Sequence, residues 1–181
     1  ERFYFGYTTR IQKADFARYL VVYHFGGYYF DHDVKTTQKS ISKILENHKD
    51  VGCVVFEELT WAEGEGVYTQ NYRIRQSLSP HKRKEVALRV ANYAFYAKPK
   101  QDFMLKVLEK CAQRACNEVL EPYDVLFTTG PDVVSTVVDE IKGDGSVVVI
   151  SKAEADSYFQ HLSTHGWYRE IKSRGCRARL F

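Results

Sequence analysis

Two aspartates one residue apart, Asp31 and Asp33, follow an apolar, aromatic segment of the chain, just past two glycines and the sequence YYF. At the exit of a strand, residues i and i+2 can point the same way, and two converging carboxylates repel each other unless a cation lies between them. Hard divalent cations such as Mn²⁺ and Mg²⁺ prefer oxygen ligands. The pair therefore predicts a Mn²⁺ or Mg²⁺ site whose open positions suit the oxygens of a diphosphate.

A second pair of charges, Asp15 and Arg18, precedes the aspartates. At a spacing of i, i+3 the two side chains lie on one face of a helix. A carboxylate acceptor beside a guanidinium fork of donors suits the hydroxyls of a sugar. Each signal alone also fits a plainer interpretation. An Asp-x-Asp is often a solvated turn, and such a helix pair is often a surface ion pair worth about 0.3–0.5 kcal/mol.

The elements that position these residues can be predicted from the hydrophobic pattern. Residues 11–25 are predicted to form a helix that Gly26 and Gly27 end, and YYF is predicted to form a short strand with the acidic pair at its exit. The helical period is carried by apolar or aromatic residues at Ile11, Ala14, Ala17, Leu20 or Val21, and His24 or Phe25.

Further along, strands are predicted at 50–58, 124–130 and 145–151, and helices at 100–120 and from Pro131 onward. The helix at 100–120 has a stripe of Met104, Val107 or Leu108, Cys111 and Ala115. Residues 59–80 are predicted to form a long loop, and residues 82–97 fit either a helix or a strand. Strands that alternate with helices indicate an α/β domain.

The composition of the chain fits one packed domain. Of its 181 residues, 44% are hydrophobic and 27% are charged, which excludes a disordered chain. The 13 Tyr and 11 Phe suit either the walls of a pocket for rings or sugars, or simply an aromatic core. The net charge of +3 without long basic runs does not indicate a nucleic-acid partner. No stretch of 18 apolar residues occurs, so no membrane span is predicted.

The string from Ala14 to Asp33 resembles the sugar-binding segment of glycosyltransferase family 32, which includes initiating α-1,6-mannosyltransferases and α-1,4-galactosyltransferases. The resemblance rests on Asp15, Arg18, Gly26-Gly27, Tyr29 and the Asp-x-Asp. His32 at the centre of the acidic motif departs from the usual Thr, Leu or Val. The later segments VANYAFYAKPKQDFMLKVLEKC, TTGPDVVSTVV and HLSTHGWYRE are similar to family segments in the same order, so the resemblance covers about residues 11–170.

The resemblance implies a GT-A type, Rossmann-like domain that binds a nucleotide sugar, with a mixed sheet flanked by helices. It implies a metal-dependent, retaining transfer of a hexose to a glycan, glycolipid or glycoprotein acceptor, with a UDP-sugar favoured over a GDP-sugar. The chain would then be a single catalytic domain over 1–181, with the base-binding part missing or upstream. The compartment would be the Golgi lumen in a eukaryotic protein with an upstream anchor, and the cytoplasm in a bacterial or viral one.

The resemblance also implies roles for individual residues. Mn²⁺ or Mg²⁺ would be held by Asp33 directly, by Asp31 through water, and by His161, for which His165 is a competitor. The residues expected to bind the donor sugar are Asp15, Arg18, Tyr29, Asp31 and Trp167. Asn92 is the first candidate to stabilise the reacting sugar, together with Asp31, and Glu57 and Glu58 are weaker candidates; Thr129 and Gly130 would shape the edge of the acceptor or donor site.

Two other classes of protein remain as alternatives. One is a non-catalytic interaction domain that kept the fold and lost turnover. The other is a metal-dependent phosphatase or nuclease, but such sites usually need further carboxylates to hold two metals, and no second acidic cluster is evident in the sequence.

Overall fold

Only Gly26 separates the helix that carries Asp15 and Arg18 from the strand Gly27–Phe30, and Asp31 follows that strand. The computed structural model describes residues 2–61, 87–115, 122–141, 145–162 and 171. Its helices are α1 Arg2–Gly6, α2 Arg10–Phe25, α3 Ser42–Asn47, α4 Asp102–Gln113, α5 Pro122–Thr128, α6 Pro131–Glu140 and α7 Lys152–Ala155. Its strands are β1 Gly27–Phe30, β2 Val34–Thr36, β3 Cys53–Trp61, β4 Ala87–Ala97, β5 Val147–Ile150 and β6 Phe159–His161.

Four strands form a mixed sheet in the order β1-β4-β3-β5. β4 pairs antiparallel with β1 and β3, whereas β5 runs parallel to β3. A separate two-stranded sheet pairs β2 with β6 and places Val34 opposite His161. This second sheet brings a residue from late in the chain next to the Asp-x-Asp turn.

The two faces of the main sheet contribute to two hydrophobic clusters. Along β3, Cys53 and Val55 pack into one cluster with residues of α2, α4 and α6, whereas Val54 and Phe56 pack into the other with residues of α3, α7 and β6. This alternation follows from the two-residue period of a strand. The predicted mixed α/β architecture, with helices flanking the sheet, is therefore confirmed.

The β3–β4 pairing is irregular where it passes the site. Val55 lies opposite Phe95, but Glu57 lies opposite Val90, so Phe56 alone faces the four residues 91–94 of β4. Extra residues in one strand bend it and redirect its side chains. Asn92 and Tyr93 lie in this irregular stretch.

Helix α2 has the predicted length but not the predicted buried face. Ala14, Leu20, Val21 and Phe25 are exposed, whereas the buried residues of the helix are Gln12, Asp15, Phe16, Arg18, Tyr19 and Val22. The apolar period identified the helix and failed to identify the face in the core. Hydrogen bonds and ion pairs to other elements allow two charged residues and a glutamine to be buried there.

The prediction of a strand at 124–130 is wrong, because Pro122–Thr128 is helical. A short apolar run such as VLF fits either element by pattern alone. In the structure, the hydroxyl of Thr128 donates to the carbonyl of Asp124, and the N–H groups of Thr129 and Gly130 both donate to the carbonyl of Val125. These bonds complete the last turn of α5 immediately before α6.

The remaining differences concern the ends of elements. The ambiguous segment 82–97 is a strand where it is described, and β3 extends to Trp61, into the predicted loop. Helix α4 ends at Gln113, so the predicted stripe of Met104, Val107, Leu108 and Cys111 is buried but Ala115 is exposed. Residues 62–80 of the predicted loop lie outside the described part of the chain. Of the helices that the structure describes, none has the length and apolar character that crossing a membrane requires.

We predict that Gly26→Ala destabilises the protein by about 2 kcal/mol. Gly26 has a φ of +70°, which L residues rarely adopt, and a Cβ there would lie 2.7 Å from Cδ of Pro99. The measurement is urea unfolding, with Gly6→Ala as the control, because a Cβ at Gly6 meets no atom within 4 Å. Equal stability of the two variants would contradict the prediction.

Candidate active site

The centre of the site is a buried ion pair within α2 that also contacts Asp31, the residue after β1. Nη2 of Arg18 lies 2.8 Å from Oδ1 of Asp15, and Nη1 lies 3.2 Å from Oδ2 of Asp31. Asp15 and Arg18 are only 2% and 6% exposed. The structure therefore joins the Asp-Arg pair of the helix to the first aspartate of the Asp-x-Asp, and excludes the interpretation of Asp15 and Arg18 as a surface pair.

Asp15 also receives hydrogen bonds from two distant segments. Nδ2 of Asn92, on β4, donates to Oδ1 at 3.2 Å, and Oγ1 of Thr129, between α5 and α6, donates to Oδ2 at 3.0 Å. The neighbouring Tyr19 donates its hydroxyl to the carbonyl of Thr129 at 2.9 Å. One carboxylate thus fixes the relative positions of α2, β4 and the α5–α6 junction.

Arg18 and Tyr29 position the carboxylate of Asp31. Besides its two ion pairs, Arg18 donates from Nη1 to the carbonyl of Asn92 at 2.8 Å, and its guanidinium carbon lies 5.0 Å from the centre of the Tyr29 ring. The hydroxyl of Tyr29 donates to Oδ1 of Asp31 at 2.6 Å. Both oxygens of Asp31 therefore accept from the protein, while 23% of the side chain stays exposed.

Burial has the largest effect on the pKa of the buried Asp15 carboxylate. It raises the pKa of Asp15 to about 6 from the ordinary 3.8, against the opposing effects of Arg18, Thr129 and Asn92. Burial also acts against the charge of Arg18, but Asp15 and its other neighbours outweigh burial and raise the pKa of Arg18 above its ordinary range. At neutral pH the pair is therefore ionised on both sides.

The second aspartate of the motif faces His161. Nε2 of His161 lies 3.4 Å from Oδ1 of Asp33, and the N–H of Leu162 donates to the carbonyl of Asp33 at 2.9 Å. The pairing of β2 with β6 creates this contact, because Val34 lies opposite His161. Two of the three predicted metal ligands are thus adjacent in space.

The structure places Asp31, which is expected to act on the metal through water, in contact with the side chains of Arg18 and Tyr29. Among the residues that it describes, no three His, Cys, Asp or Glu side chains are grouped as metal ligands. The carboxylate of Asp31 is directed at Arg18 and Tyr29. An aspartate oxygen beside an imidazole nitrogen is a donor set that Mn²⁺ accepts, so Asp33 and His161 fit as two ligands. The expected contact of Asp31 with the metal through water stays a prediction.

The remaining predicted site residues have different outcomes. Trp167 and His165 lie outside the described residues. Thr129 donates a hydrogen bond directly to Asp15, and its place at the edge of the acceptor or donor site stays a prediction. The glycine at 130 has a packing reason, since a Cβ there would lie 2.7 Å from Cα of Leu126. Glu57 accepts a hydrogen bond from the N–H of Lys152 at 3.0 Å.

Sequence reasoning missed Tyr93, and it named Glu58 without the partners Arg89 and Asp132. The Tyr93 ring stacks on the imidazole of His161, with ring centres 3.8 Å apart. Nε of Arg89 lies 3.1 Å from Oε2 of Glu58, and its Nη2 lies 3.8 Å from Oδ1 of the buried Asp132. Tyr93 follows the predicted Asn92 directly, but only the β2–β6 pairing shows that it meets His161.

The fold and the site together define a mixed α/β domain with a buried network of Asp15 and Arg18 that reaches Asp31 just after β1. Residues 1–51 match the family described as the glycosyltransferase sugar-binding region containing a DXD motif. The matched segment holds Asp15, Arg18, Asp31 and Asp33, and this similarity points to a glycosyltransferase. No match to a curated protein was found for the chain.

We predict that Arg18→Met lowers the free energy of unfolding at pH 7 by about 3–5 kcal/mol, because it leaves Asp15 buried without a counter-charge. The double variant Asp15→Asn/Arg18→Met is expected to be more stable than the single one. Urea unfolding measures both, with Arg10→Met, exposed at the start of the same helix, as the control. A loss below about 1 kcal/mol in Arg18→Met would contradict this account.

We predict that the free energy of unfolding of the wild type, relative to that of the Asp132→Asn variant, falls as the pH rises from about 4 to about 6. Burial raises the pKa of Asp132 from 3.8 to about 6, against the opposing charges of Arg89 and Arg114. Between these values the folded state holds the proton more tightly than the unfolded state, so ionisation costs stability, about 3 kcal/mol at most. Urea unfolding at several pH values tests this, with Asp50→Asn, at an exposed position, as the control. A difference between wild type and Asp132→Asn that is independent of pH would contradict the prediction.

Proposed function

We propose that the protein is a metal-dependent, retaining glycosyltransferase that moves a hexose from a nucleotide sugar to a glycan, glycolipid or glycoprotein acceptor. We favour a UDP-sugar over a GDP-sugar as the donor, and we propose that the domain has a GT-A type, Rossmann-like fold. The observation that carries this proposal is the buried Asp15–Arg18–Asp31 network beside the Asp33–His161 pair. The family match at residues 1–51 supports it.

In this proposal, the donor sugar contacts the partly exposed side chains around the network first. Asp31, Tyr29 and Asn92 are partly buried and offer carboxylate, phenol and amide groups for sugar hydroxyls. Asp15 and Arg18 make the deepest contacts and hold the others in place. A rigid network of this kind is suited to catalysis, because its dipoles need no reorganisation when charge develops. Trp167 remains a proposed wall of the donor site.

The leaving group in such a transfer is a nucleoside diphosphate, and its departure needs stabilisation of negative charge. Asp33 and His161 would hold Mn²⁺ or Mg²⁺, and Asp31 would act on it through water. The cation would supply electrostatic stabilisation of the diphosphate oxygens. At the sugar, the transition state is oxocarbenium-like, and Asp31 and the carbonyl oxygen of the Asn92 amide are the proposed stabilising groups. Thr129 and Gly130 would form the adjoining edge of the site.

A non-catalytic domain of the same fold is the second candidate. The observation that favours it is the internal satisfaction of the network, since Asp15 accepts from three protein donors and both oxygens of Asp31 accept from Arg18 and Tyr29. Such a network could serve stability alone. Binding of a donor decides between the two candidates.

The first test is calorimetric titration of UDP- and GDP-sugars, with Mn²⁺ and with a chelator. We predict that one nucleotide sugar binds in a metal-dependent way and that Asp33→Asn weakens its binding by about 100-fold or more, since even residues that support metal ligands contribute 10–100-fold. Asp50→Asn, at an exposed position, is the control and is expected to bind like the wild type. If the folded wild type binds no donor under either condition, the transferase proposal fails and the interaction domain is favoured.

A further inference from the structure

Tyr93 touches both halves of the proposed metal site. Its ring lies nearly parallel to the imidazole of His161, with the ring centres 3.8 Å apart and the planes 23° apart. Its backbone carbonyl accepts the N–H of Asp31 at 2.8 Å. A single residue of β4 therefore contacts the start of the Asp-x-Asp turn through its backbone and the histidine of β6 through its side chain.

The imidazole of His161 needs such a contact if it is to face Asp33 in one orientation. The strand pairing of β2 with β6 fixes the backbone of His161 opposite Val34, but the last torsion of a histidine side chain is broad. At 21% exposure, the side chain of His161 is not enclosed on all sides. A flat aromatic ring against one face of the imidazole restricts this rotation.

We propose that Tyr93 is a positioning residue for metal binding, whose ring holds the imidazole of His161 so that Nε2 faces the carboxylate of Asp33. This inference rests on the proposed function, because it assumes that Asp33 and His161 hold the cation. It assigns to Tyr93 no contact with the sugar or the reacting atoms.

The stacking face, and not the hydroxyl, carries this role. The ring faces of Tyr93 and His161 lie against each other, with their centres 3.8 Å apart and their planes 23° apart. A phenylalanine keeps the same face and is expected to substitute for the tyrosine, whereas an aliphatic residue of similar bulk is not. This contrast separates stacking from a hydrogen-bonding or acid–base role.

The test measures Mn²⁺ binding by electron paramagnetic resonance, without donor or acceptor. We expect Tyr93→Leu to weaken Mn²⁺ binding by about tenfold or more, in the range found for residues that orient metal ligands. Tyr93→Phe is expected to bind like the wild type. Tyr96→Leu is the matched control, because Tyr96 is a partly buried tyrosine on the same strand and its ring packs on Tyr28 instead.

A second readout follows the imidazole itself. At saturating Mn²⁺, we expect electron spin-echo modulation from the ligand nitrogen in the wild type and in Tyr93→Phe. We expect this modulation to be reduced in Tyr93→Leu and lost in His161→Gln. Thermal unfolding checks that each variant folds. If Tyr93→Leu does not fold, Tyr93→Ile, with a β-branched side chain suited to a strand, replaces it.

The outcomes separate this inference from the proposal beneath it. If the wild type binds no Mn²⁺, or if His161→Gln binds it equally well, the proposed metal site fails and the role of Tyr93 fails with it. If His161→Gln loses binding but Tyr93→Leu keeps the affinity and the nitrogen signal of the wild type, the role of Tyr93 alone is overturned. If Tyr93→Phe is as weak as Tyr93→Leu, the hydroxyl and not the stacked face is responsible, which also overturns it.

Discussion

The site depends on the buried ion pair between Asp15 and Arg18. Removing two charges from water costs several kcal/mol each, so the pair persists only where its geometry and hydrogen bonds offset that cost. Asn92 and Thr129 supply donors to the carboxylate, and Asp31 receives the other arm of the guanidinium. Because each partner comes from a different element, the requirement to satisfy one pair sets the arrangement of α2, β1, β4 and the α5–α6 junction.

Two features of the sheets bring Tyr93, His161 and Asp33 together. The shift in the β3–β4 register occurs at the stretch of β4 that holds Asn92 and Tyr93, so one strand supplies both the network and the stacked ring. The short β2–β6 sheet then places His161 beside Asp33. Asp31 and Asp33 thereby have different surroundings, since the first is bound by Arg18 and Tyr29 and the second faces the imidazole of His161.

Much of the fold could be predicted because glycines and prolines mark the ends of elements. Gly26 ends α2 where expected, Pro131 begins α6, and the β-branched run at Val147–Ile150 forms a strand. The prediction of element type failed for α5, because its short apolar run fits both the period of a strand and the period of a helix. The prediction also failed for the buried face of α2, because polar partners that lie far away in sequence stabilise the burial of that face.

By itself, the sequence determined which residues could do chemistry, since their types and their spacing on one helix and one turn are local properties. It determined the pairing of Asp15 with Arg18, because residues three apart on a helix are neighbours. Only the tertiary structure decided that this pair is buried, that Thr129 and Asn92 complete it, and that Tyr93 lies against His161. These contacts join residues 68 or more positions apart, and only the packing of the sheet and helices brings such distant residues together.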